Sequence, residues 1–307
     1  MRNAFADEIT RLAGEDNRLV LLSGDIGNRL FNKFRAQAPD RFYNCGVAEA
    51  NMMGTAAGMA MSGLRPVAYT ITPFITTRCL EQVKIDVCYH NLPVVIAAVG
   101  AGLSYAALGP THHSFEDLAV LRVLPNLAIV CPADPWEVRA ALRAALRRPG
   151  PVYLRLGKKG EAAIHAAPPE FEIGRAIVLR RGSDVGILAT GNLVAEALAA
   201  ADLLKLQGVA CTVVDFHTVK PLDESALRTV FAGTSLVVTL EEHSLIGGFG
   251  SAVAEWLADN GPLPAGLMRF GMRDEFLHQA GNQKFARRYF GLNAEAVAAR
   301  IAAKLNK

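Results

Sequence analysis

The sequence predicts an α/β protein of two domains, each a mostly parallel sheet with helices on both faces. Its 307 residues are about the length of two ordinary domains. Short runs rich in β-branched residues alternate with longer helical patterns, which is typical of parallel sheets. A stretch rich in charge, Pro and Gly interrupts the alternation once. We therefore predict a first domain over residues 1–160, a linker over 161–183 and a second domain over 184–307.

In the first half, apolar runs such as LVLLS, PVAYTI, PVVIAAVG, LAIVC and VYLRLG predict the strands. Helices are expected near 28–37 and 77–90, from about 115, and over DPWEVRAALRAALRR, whose acids come first and whose bases come last. In the second half, DVGILATG, VACTVVDFHTVKP, SLVVTLEEHS and LMRFGM predict strands, and LNAEAVAARIAAKLNK predicts the final helix.

Composition excludes several functional classes. Charged residues make up 20% of the chain, and the formal net charge is only +3 without a basic block, so no nucleic-acid partner is expected. No apolar run approaches the ~20 residues that cross a bilayer, and the first residues form an amphipathic pattern rather than a signal peptide. Five scattered cysteines without CxxC spacing are typical of reduced thiols, so we predict a cytoplasmic protein.

A single carboxylate stands out in NCGVAEANMMGTAAGMAMSG, residues 44–63. Glu49 is the one ionisable residue of this small and apolar segment, and a helix is predicted from Ala48 or Glu49 to about Met61. An acid in the first helical turn is a common structural feature. Gly54 and Gly58 leave one helix face bare, which predicts a close contact within the fold or between subunits. A carboxyl group that loses water there can hold a proton.

Two adjacent histidines lie in LGPTHHSFEDLAVLR, residues 108–122. Ser114 and Asp117 have the spacing of a capping box, which predicts a helix that begins just after His112 and His113. A loop that enters a helix N-terminus after a strand is a favourable place for a binding site. No cysteine or carboxylate at ligand spacing joins them, so no metal site is predicted.

Three further segments have structural and functional interpretations. Phe74 follows a proline after a strand, and it either packs in the core or stacks on a flat ring. SGDIGN, residues 23–28, fits a strand-to-helix turn better than a magnesium loop. GGFG, residues 247–250, precedes a helix and is either a structural turn or a cradle for an anion.

Taken together, these segments resemble the transketolase superfamily of thiamine-diphosphate enzymes. The resemblance covers essentially the whole chain, as a pyrimidine-binding domain followed by a C-terminal domain, and is closest to the C-terminal half of split transketolases. It rests on the order and spacing of FYNCGVAEANMMGTAAGMA, RCLEQVKIDV, LGPTHHSFEDLAVLRVLPNLAIVCPAD, VVDFHTVKPLD and EEHSLIGGFGSAVAE.

The resemblance implies roles for particular residues. Glu49 would contact the aminopyrimidine of thiamine diphosphate and share a proton with a ring nitrogen, while the cofactor supplies the carbanion chemistry. Phe74 would pack on the pyrimidine, and Asp25 would lie near the cofactor. His112 would face the thiazolium and the substrate oxygens. Glu49 and His112 are thus the predicted catalytic residues.

The substrate end departs from the family pattern. Leu108 stands where many transketolases have an aspartate, and an expected upstream histidine falls near Gly100. The usual pentose phosphates are therefore in doubt. Arg155 lies near the place of a phosphate-binding arginine, so it joins His112 and His113 as a predicted substrate-binding residue, and an anionic sugar is expected.

The GDG motif by which the family binds diphosphate and Mg²⁺ is absent from the sequence. We therefore expect a partner, the N-terminal transketolase subunit, to hold Mg²⁺ and the diphosphate, with two copies of each chain in a heterotetramer. The predicted activity is transfer of a two-carbon ketol unit between phosphorylated or modified sugars. The alternatives are the beta subunit of a 2-oxo-acid dehydrogenase, a decarboxylating synthase relative, and a non-catalytic subunit.

Overall fold

Two β-sheets with flanking helices form the computed structural model, which describes residues 1–27 and 29–306. The predicted α/β class, with two mostly parallel sheets, is confirmed. Asn28, which belongs to SGDIGN and to the helix expected near 28–37, lies outside the described residues, as does Lys307 at the end of the predicted final helix.

The first sheet contains seven strands within these ranges. They are β1 (Leu19–Ser23), β2 (Phe42–Asn44), β3 (Arg65–Ile71), β4 (Val95–Val99), β5 (Ala128–Val130), β6 (Val152–Leu156) and, from the second half of the chain, β10 (Thr218–Lys220). Their order is β10-β5-β6-β4-β3-β1-β2. Strand β10 runs antiparallel to β5, whereas the other pairs are parallel.

Helices in this part of the chain are α1 (Arg2–Ala13), α2 (Asn32–Gln37), α3 (Glu49–Met61), α4 (Thr72–Ile75), α5 (Leu80–Gln82), α6 (Asp117–Arg122) and α7 (Pro135–Arg147). The predicted bounds of α3 are confirmed. The helix expected over 77–90 is a 3-10 turn, then α5, then a π-helix over Val83–Tyr89. Helix α7 begins after Asp134, whose carboxylate accepts the Trp136 and Glu137 N–H groups.

The second sheet contains β7 (Ile177–Arg180), β8 (Val185–Ala189), β9 (Cys211–Asp215), β11 (Leu236–Ser244) and β12 (Gly266–Met272), in the order β12-β11-β8-β9-β7. Strand β7 is an antiparallel edge strand within the segment predicted as a linker. The helices here are α8 (Val194–Lys205), α9 (Glu224–Gly233), α10 (Phe249–Asn260), α11 (Gln283–Phe290) and α12 (Ala294–Leu305). In the described ranges no helix has both the length and the apolar character needed to cross a membrane.

One apolar core joins the two sheets. It contains Ile96 of β4 and Leu188 of β8 together with Phe249 and Trp256 of α10. Successive residues of a strand point to opposite faces of the sheet. Leu21 of β1 therefore packs in a separate core, together with side chains of α1 and α7. Because the two halves share a core, side chains from the second half can support the carboxyl edge of the first sheet.

Candidate active site

Glu49 lies at the carboxyl edge of the first sheet. It is the first residue of α3 and only 2% exposed, and its Oε2 accepts a hydrogen bond from Arg78 Nη1 at 2.7 Å. Gly24, at the end of β1, makes room for it: a Cβ there would lie 3.4 Å from Glu49 Cγ and 2.8 Å from Thr70 Oγ1. The carboxylate is therefore buried, held by one cation and closely packed.

Phe74 and Arg78 connect Glu49 to His112. Phe74 lies in α4, and the Arg78 guanidinium carbon is 4.2 Å from the centroid of its ring. The His112 ring meets the Phe74 ring edge to face at 5.2 Å between centroids. The structure thus brings together three predicted residues that are far apart in sequence. Sequence reasoning missed Arg78, although its position four residues after Phe74 in a helical segment is a usable signal.

His112 is half-buried in the loop that follows β4. Its Nδ1 lies 2.9 Å from the Thr111 hydroxyl, and no other hydrogen bond to its ring is found among the described residues. Burial lowers the pKa of His112, and the charges of His113 and Lys158 lower it further. At neutral pH the ring is therefore neutral, with Nε2 able to meet a ligand.

Lys158 is a second residue that sequence reasoning missed. It follows β6 at the same edge, and its Nζ lies 4.3 Å from the centroid of the Tyr105 ring, which in turn contacts His112 at 6.0 Å. Burial, followed by the charges of Lys159 and Arg2, lowers the pKa of Lys158. The general signal that points to it is a basic residue directly after a strand of a parallel sheet.

The two departures from the family pattern lie in the same loop. Gly100 has a φ of +95°, and a Cβ there would lie 2.1 Å from the Tyr105 ring. Glycine at this position therefore allows an aromatic ring to occupy the space. Leu108 is 52% exposed and lies further along this loop, in the 3-10 turn Ala106–Leu108. This part of the carboxyl edge therefore has an aromatic and apolar character.

Asp25 lies at the rim of this edge. It is exposed, adopts a φ of +55°, and accepts a hydrogen bond from Asn44 Nδ2 at 2.9 Å. It directly follows Gly24, which packs against Glu49. The structure therefore places Asp25 beside the other predicted residues, at the end of β1.

His113 points away from His112. Its Nε2 lies 3.2 Å from the Ala106 carbonyl oxygen, and its ring stacks on Phe115 with 5.2 Å between centroids. It is 4% exposed and lines a separate hollow with Arg273. The two adjacent histidines therefore do not face one ligand together.

Arg155 is committed to a buried ion pair, which argues against its predicted contact with substrate. Its side chain is 3% exposed, and its Nε donates to Asp117 Oδ2 at 2.6 Å. Its Nη2 donates to Asp117 Oδ1 at 3.0 Å and to the Glu242 carbonyl at 3.0 Å. Burial alone would raise the pKa of Asp117, but Arg155 outweighs it and lowers that pKa.

The predicted capping box is wrong for the same reason. Asp117 binds Arg155 and the Tyr153 hydroxyl, and the buried Ser114 hydroxyl has no partner among the described residues. Helix α6 begins at Asp117 after Glu116, which makes no side-chain cap, rather than near residue 115. A buried guanidinium binds the carboxylate more strongly than backbone N–H groups do.

The Gly-rich turn before α10 binds a carboxyl group of the chain itself. Glu241 of β11 accepts hydrogen bonds from Phe249 N at 2.6 Å and Gly250 N at 2.7 Å. Burial raises the pKa of Glu241 to about 7, although these two N–H groups oppose the shift. An internal carboxylate therefore occupies the place that the GGFG pattern offered to an anion.

The glycine face of α3 is open. A Cβ on Gly58 would meet no atom within 4 Å, and one on Gly54 would meet only Asp86 Oδ2, at 3.8 Å. Thr55, on the same face, is exposed. A side chain at Gly58 would therefore point into open space, so the described residues show no close contact within the fold on this helix face.

Comparison with known proteins agrees with this geometry. The family profile "Transketolase, pyrimidine binding domain" matches residues 1–160, and "Transketolase, C-terminal domain" matches residues 174–297. The chain belongs to the transketolase family. It is 40% identical over 298 residues to a 6-deoxy-6-sulfo-D-fructose transketolase subunit of Clostridium sp. strain MSTE9, covering 97% of this chain and 92% of that one.

Both a split subunit of known structure and a longer single-chain enzyme are similar to this chain. A solved structure described as "Split gene transketolase, inactive beta4 tetramer" matches with a TM-score of 0.91 and 38% identity, covering 99% and 98% of the two chains. The chain is also 40% identical over 309 residues to the 1-deoxy-D-xylulose-5-phosphate synthase of Thermomicrobium roseum, covering 99% of this chain but 48% of the synthase. This chain thus matches the split transketolase subunit over nearly its whole length, and it matches about half the length of the synthase.

Membership of the transketolase family implies dependence on thiamine diphosphate. The residues at the carboxyl edge fit its aminopyrimidine: Glu49 is a buried carboxylate beside Phe74, an aromatic side chain that is only partly covered. A carboxylate that accepts a hydrogen bond and an aromatic face that packs on the ring are the two contacts that suit a flat, nitrogen-containing ring.

Proposed function

We propose that this chain supplies the pyrimidine-binding half of a thiamine-diphosphate-dependent transketolase site and moves a two-carbon ketol unit between anionic sugars. The observation that carries the proposal is the continuous set of contacts from Glu49 through Arg78 and Phe74 to His112 at one sheet edge. A purely structural subunit has no need for a buried carboxylate next to an exposed arginine and a neutral histidine.

Glu49 would hold the cofactor's pyrimidine ring by sharing a proton with a ring nitrogen. Thiamine diphosphate, when bound, supplies an electron sink for breaking the carbon–carbon bond of the ketose. The burial of Glu49 removes competing water, and its pairing with Arg78 fixes the direction of the carboxylate. Phe74 would support the pyrimidine face, and Asp25 would lie at the rim near the cofactor.

His112 would bind the oxygens of the substrate through Nε2. Its lowered pKa keeps the ring neutral at neutral pH, so that the ring can both donate and accept a proton. Thr111 holds Nδ1 and sets the orientation of the ring.

Lys158 would attract the anionic group of the sugar in place of Arg155. The Clostridium relative is named for a sulfonated sugar, and Lys158 is a cation that lies close to His112. A lysine is a compact point charge that suits a sulfonate or a phosphate equally. We therefore extend the substrate class to sugars that carry either group.

The diphosphate half and Mg²⁺ would come from a partner subunit, as the missing GDG motif indicates. The similar solved tetramer contains beta chains and is described as inactive, which supports the need for a second type of chain. The open Gly58 face of α3 supports a homodimer of this chain within a heterotetramer.

A second candidate reaction is decarboxylation of a 2-oxo acid followed by transfer to an aldehyde. The similarity to 1-deoxy-D-xylulose-5-phosphate synthase over 99% of this chain favours it over the dehydrogenase alternative. The same residues at the carboxyl edge would serve both reactions, because each uses the same cofactor. The donor substrate therefore separates the two.

The test begins with calorimetric titration of thiamine diphosphate and Mg²⁺ into this chain, alone and with its partner subunit. We expect binding only when both chains are present, followed by ketol transfer from hydroxypyruvate or a ketose phosphate. Turnover of pyruvate instead would establish the synthase reaction. Tight binding to the isolated chain would overturn the split site, and unchanged activity of Glu49→Ala would establish a non-catalytic subunit.

A further inference from the structure

A cluster of ligand-type side chains lies at the junction of the two halves, and it uses none of the residues of the carboxyl edge. Glu137 comes from α7, His165 from the segment after β6, and Asp215 from the end of β9. One ligand atom from each lies within 4.8 Å of the others. We propose that these three side chains bind a divalent transition-metal ion, with Zn²⁺ as the preferred occupant.

The distances fit such an ion after a small adjustment. In tetrahedral geometry with Zn–N and Zn–O bonds of about 2.0–2.2 Å, two ligand atoms on one ion lie about 3.4 Å apart. His165 Nε2 and Glu137 Oε1 are 2.6 Å apart, at hydrogen-bond distance. The ion would replace the proton between them, these two atoms would separate by a little under about 1 Å, and Asp215 would move toward the ion.

Asp215 is the observation that points to a ligand. It is fully buried, and neither Oδ1 nor Oδ2 has a hydrogen-bond partner among the described residues. Glu137, which is also fully buried, adds a second carboxyl group beside it. Two carboxyl groups without water are stable together only when a cation or a proton lies between them.

The surroundings orient the proposed ligands. Asp134 Oδ2 accepts hydrogen bonds from Ile164 N and His165 N, both at 3.0 Å, and thereby fixes the segment that carries His165. Ala133 N donates to Glu137 Oε2 at 2.8 Å, which leaves Oε1 for the ion. Such supporting hydrogen bonds are a regular property of protein metal sites.

An ion can enter from the surface on the side of His165. The His165 side chain is 10% exposed, and it lines a surface hollow together with Phe171 and Glu172. The donor set of one imidazole and two carboxylates, without a thiolate, suits Zn²⁺ or Mn²⁺ better than Cu⁺. A bound ion would connect α7, the segment before β7 and β9, and so strengthen the junction.

The test uses the full-length chain, stripped of metal with a chelator and then titrated with Zn²⁺ by calorimetry and with Co²⁺ by absorption spectroscopy. We expect about one ion per chain, visible d–d bands for Co²⁺, and a melting temperature that rises with Zn²⁺ concentration as mass action requires. These readouts need neither thiamine diphosphate nor the partner subunit.

His165→Gln and Asp215→Asn should each weaken Zn²⁺ binding by at least about 100-fold. Glu172→Gln is the matched control, because its carboxylate lines the same hollow but is 71% exposed, and it should bind as the wild type does. His165 lies on a partly exposed segment, so its variant keeps the test usable if Asp215→Asn does not fold.

Two results would overturn the site. The first is a folded wild-type chain that shows no Zn²⁺ binding and no rise in melting temperature, because Glu137 and Asp215 then share a proton instead. The second is binding that persists unchanged in both His165→Gln and Asp215→Asn, which would place the ion elsewhere on the surface.

Discussion

The carboxyl edges of the two sheets have a similar architecture, but a ligand can reach the first edge, whereas side chains of the protein itself fill the second. At the first edge, Glu49 opens α3 and its partner Arg78 is 45% exposed, so a ligand can reach the pair. At the second edge, Glu241 already fills the N-terminus of α10. Two similar parallel sheets thus present one edge for a ligand and one that is closed by its own side chains.

The closed edge supports the open one. Glu242, the neighbour of Glu241, accepts a hydrogen bond from Leu103 N at 2.7 Å, in the loop that leads to His112. Gly102 lies so close that a Cβ would be 2.5 Å from the Glu242 carbonyl oxygen. The second half of the chain therefore positions the loop that carries His112. The same strand-end geometry can therefore serve either chemistry or structural support.

The largest expected effect is at the open edge. Glu49→Gln should lower the activity of the assembled enzyme by ~10²–10⁴-fold, because an amide cannot exchange a proton with the cofactor. Glu224→Gln is the control, since Glu224 also begins a helix but is 62% exposed. Steady-state rates at saturating cofactor measure the effect. Equal rates for Glu49→Gln and Glu224→Gln would mean that the carboxylate at the first edge takes no part in the reaction.

At the closed edge, Glu242→Gln should lower the free energy of unfolding by about 3 kcal/mol, because the mostly buried Arg287 then keeps only its second charge partner, Glu196. Denaturant unfolding measures it. Glu255→Gln, at a position that is 63% exposed, should change stability by less than about 1 kcal/mol. A small loss of unfolding free energy in Glu242→Gln would contradict the interpretation that Glu242 supports the loop that carries His112.

The pH dependence of stability isolates Glu241. The folded pKa of about 7 lies above the ordinary value of 4.5, so between these pH values the folded state holds a proton that the unfolded chain has lost. Stability from this group is therefore present at low pH and declines as the pH rises to about 7, by about 3 kcal/mol in all. Glu241→Gln, which does not titrate, should lack this decline.

Urea unfolding of both proteins at pH 5 and pH 8 gives the comparison. The stability of the wild type relative to Glu241→Gln should be lower at pH 8 than at pH 5. Glu224→Gln, at an exposed position at the start of α9, serves again as the control. A relative stability that rises with pH would mean that the carboxylate is bound as an anion throughout.

The smallest effect is at Lys158. Lys158→Gln should raise the KM for a phosphorylated or sulfonated sugar about tenfold, the loss of one charge-assisted hydrogen bond, and should leave KM for hydroxypyruvate nearly unchanged. Removing this positive charge should also move the acid limb of the pH–rate profile, which reports the pKa of His112, to higher pH. Lys159→Gln, at an exposed neighbouring position, is the control. An equal rise in KM for both sugars and hydroxypyruvate would exclude a specific contact.

Local sequence patterns were sufficient wherever neighbouring residues decide the structure. The bounds of α3 follow from short-range patterns, and so does the existence of α7, whose acids come first and whose bases come last. Ser114 and Asp117 show the limit, because their spacing predicted a cap whereas Asp117 binds Arg155 instead. The prediction failed because the partner is 38 residues away in sequence.

The residues of the candidate site also divide into those that local sequence patterns predict and those that they do not. Glu49, Phe74 and His112 were predicted by their motifs, and the structure brings them into one line of contacts. Arg78 and Lys158 were missed, because they belong to the site only through the aromatic rings that their side chains approach in the folded chain. The cluster of Glu137, His165 and Asp215 has no recognisable spacing in the sequence, since its members come from three separate segments.

Periodicity and motif spacing are local properties, and they predicted most of the alternation of strands and helices together with the chemical groups of the site. Which carboxylates remain accessible to a ligand depends on the tertiary structure. Glu49 and Glu241 are both buried acids beside a helix N-terminus, and what separates them is the partner across the fold. Burial and long-range pairing set the free energy of a charge, and neither can be read from adjacent residues.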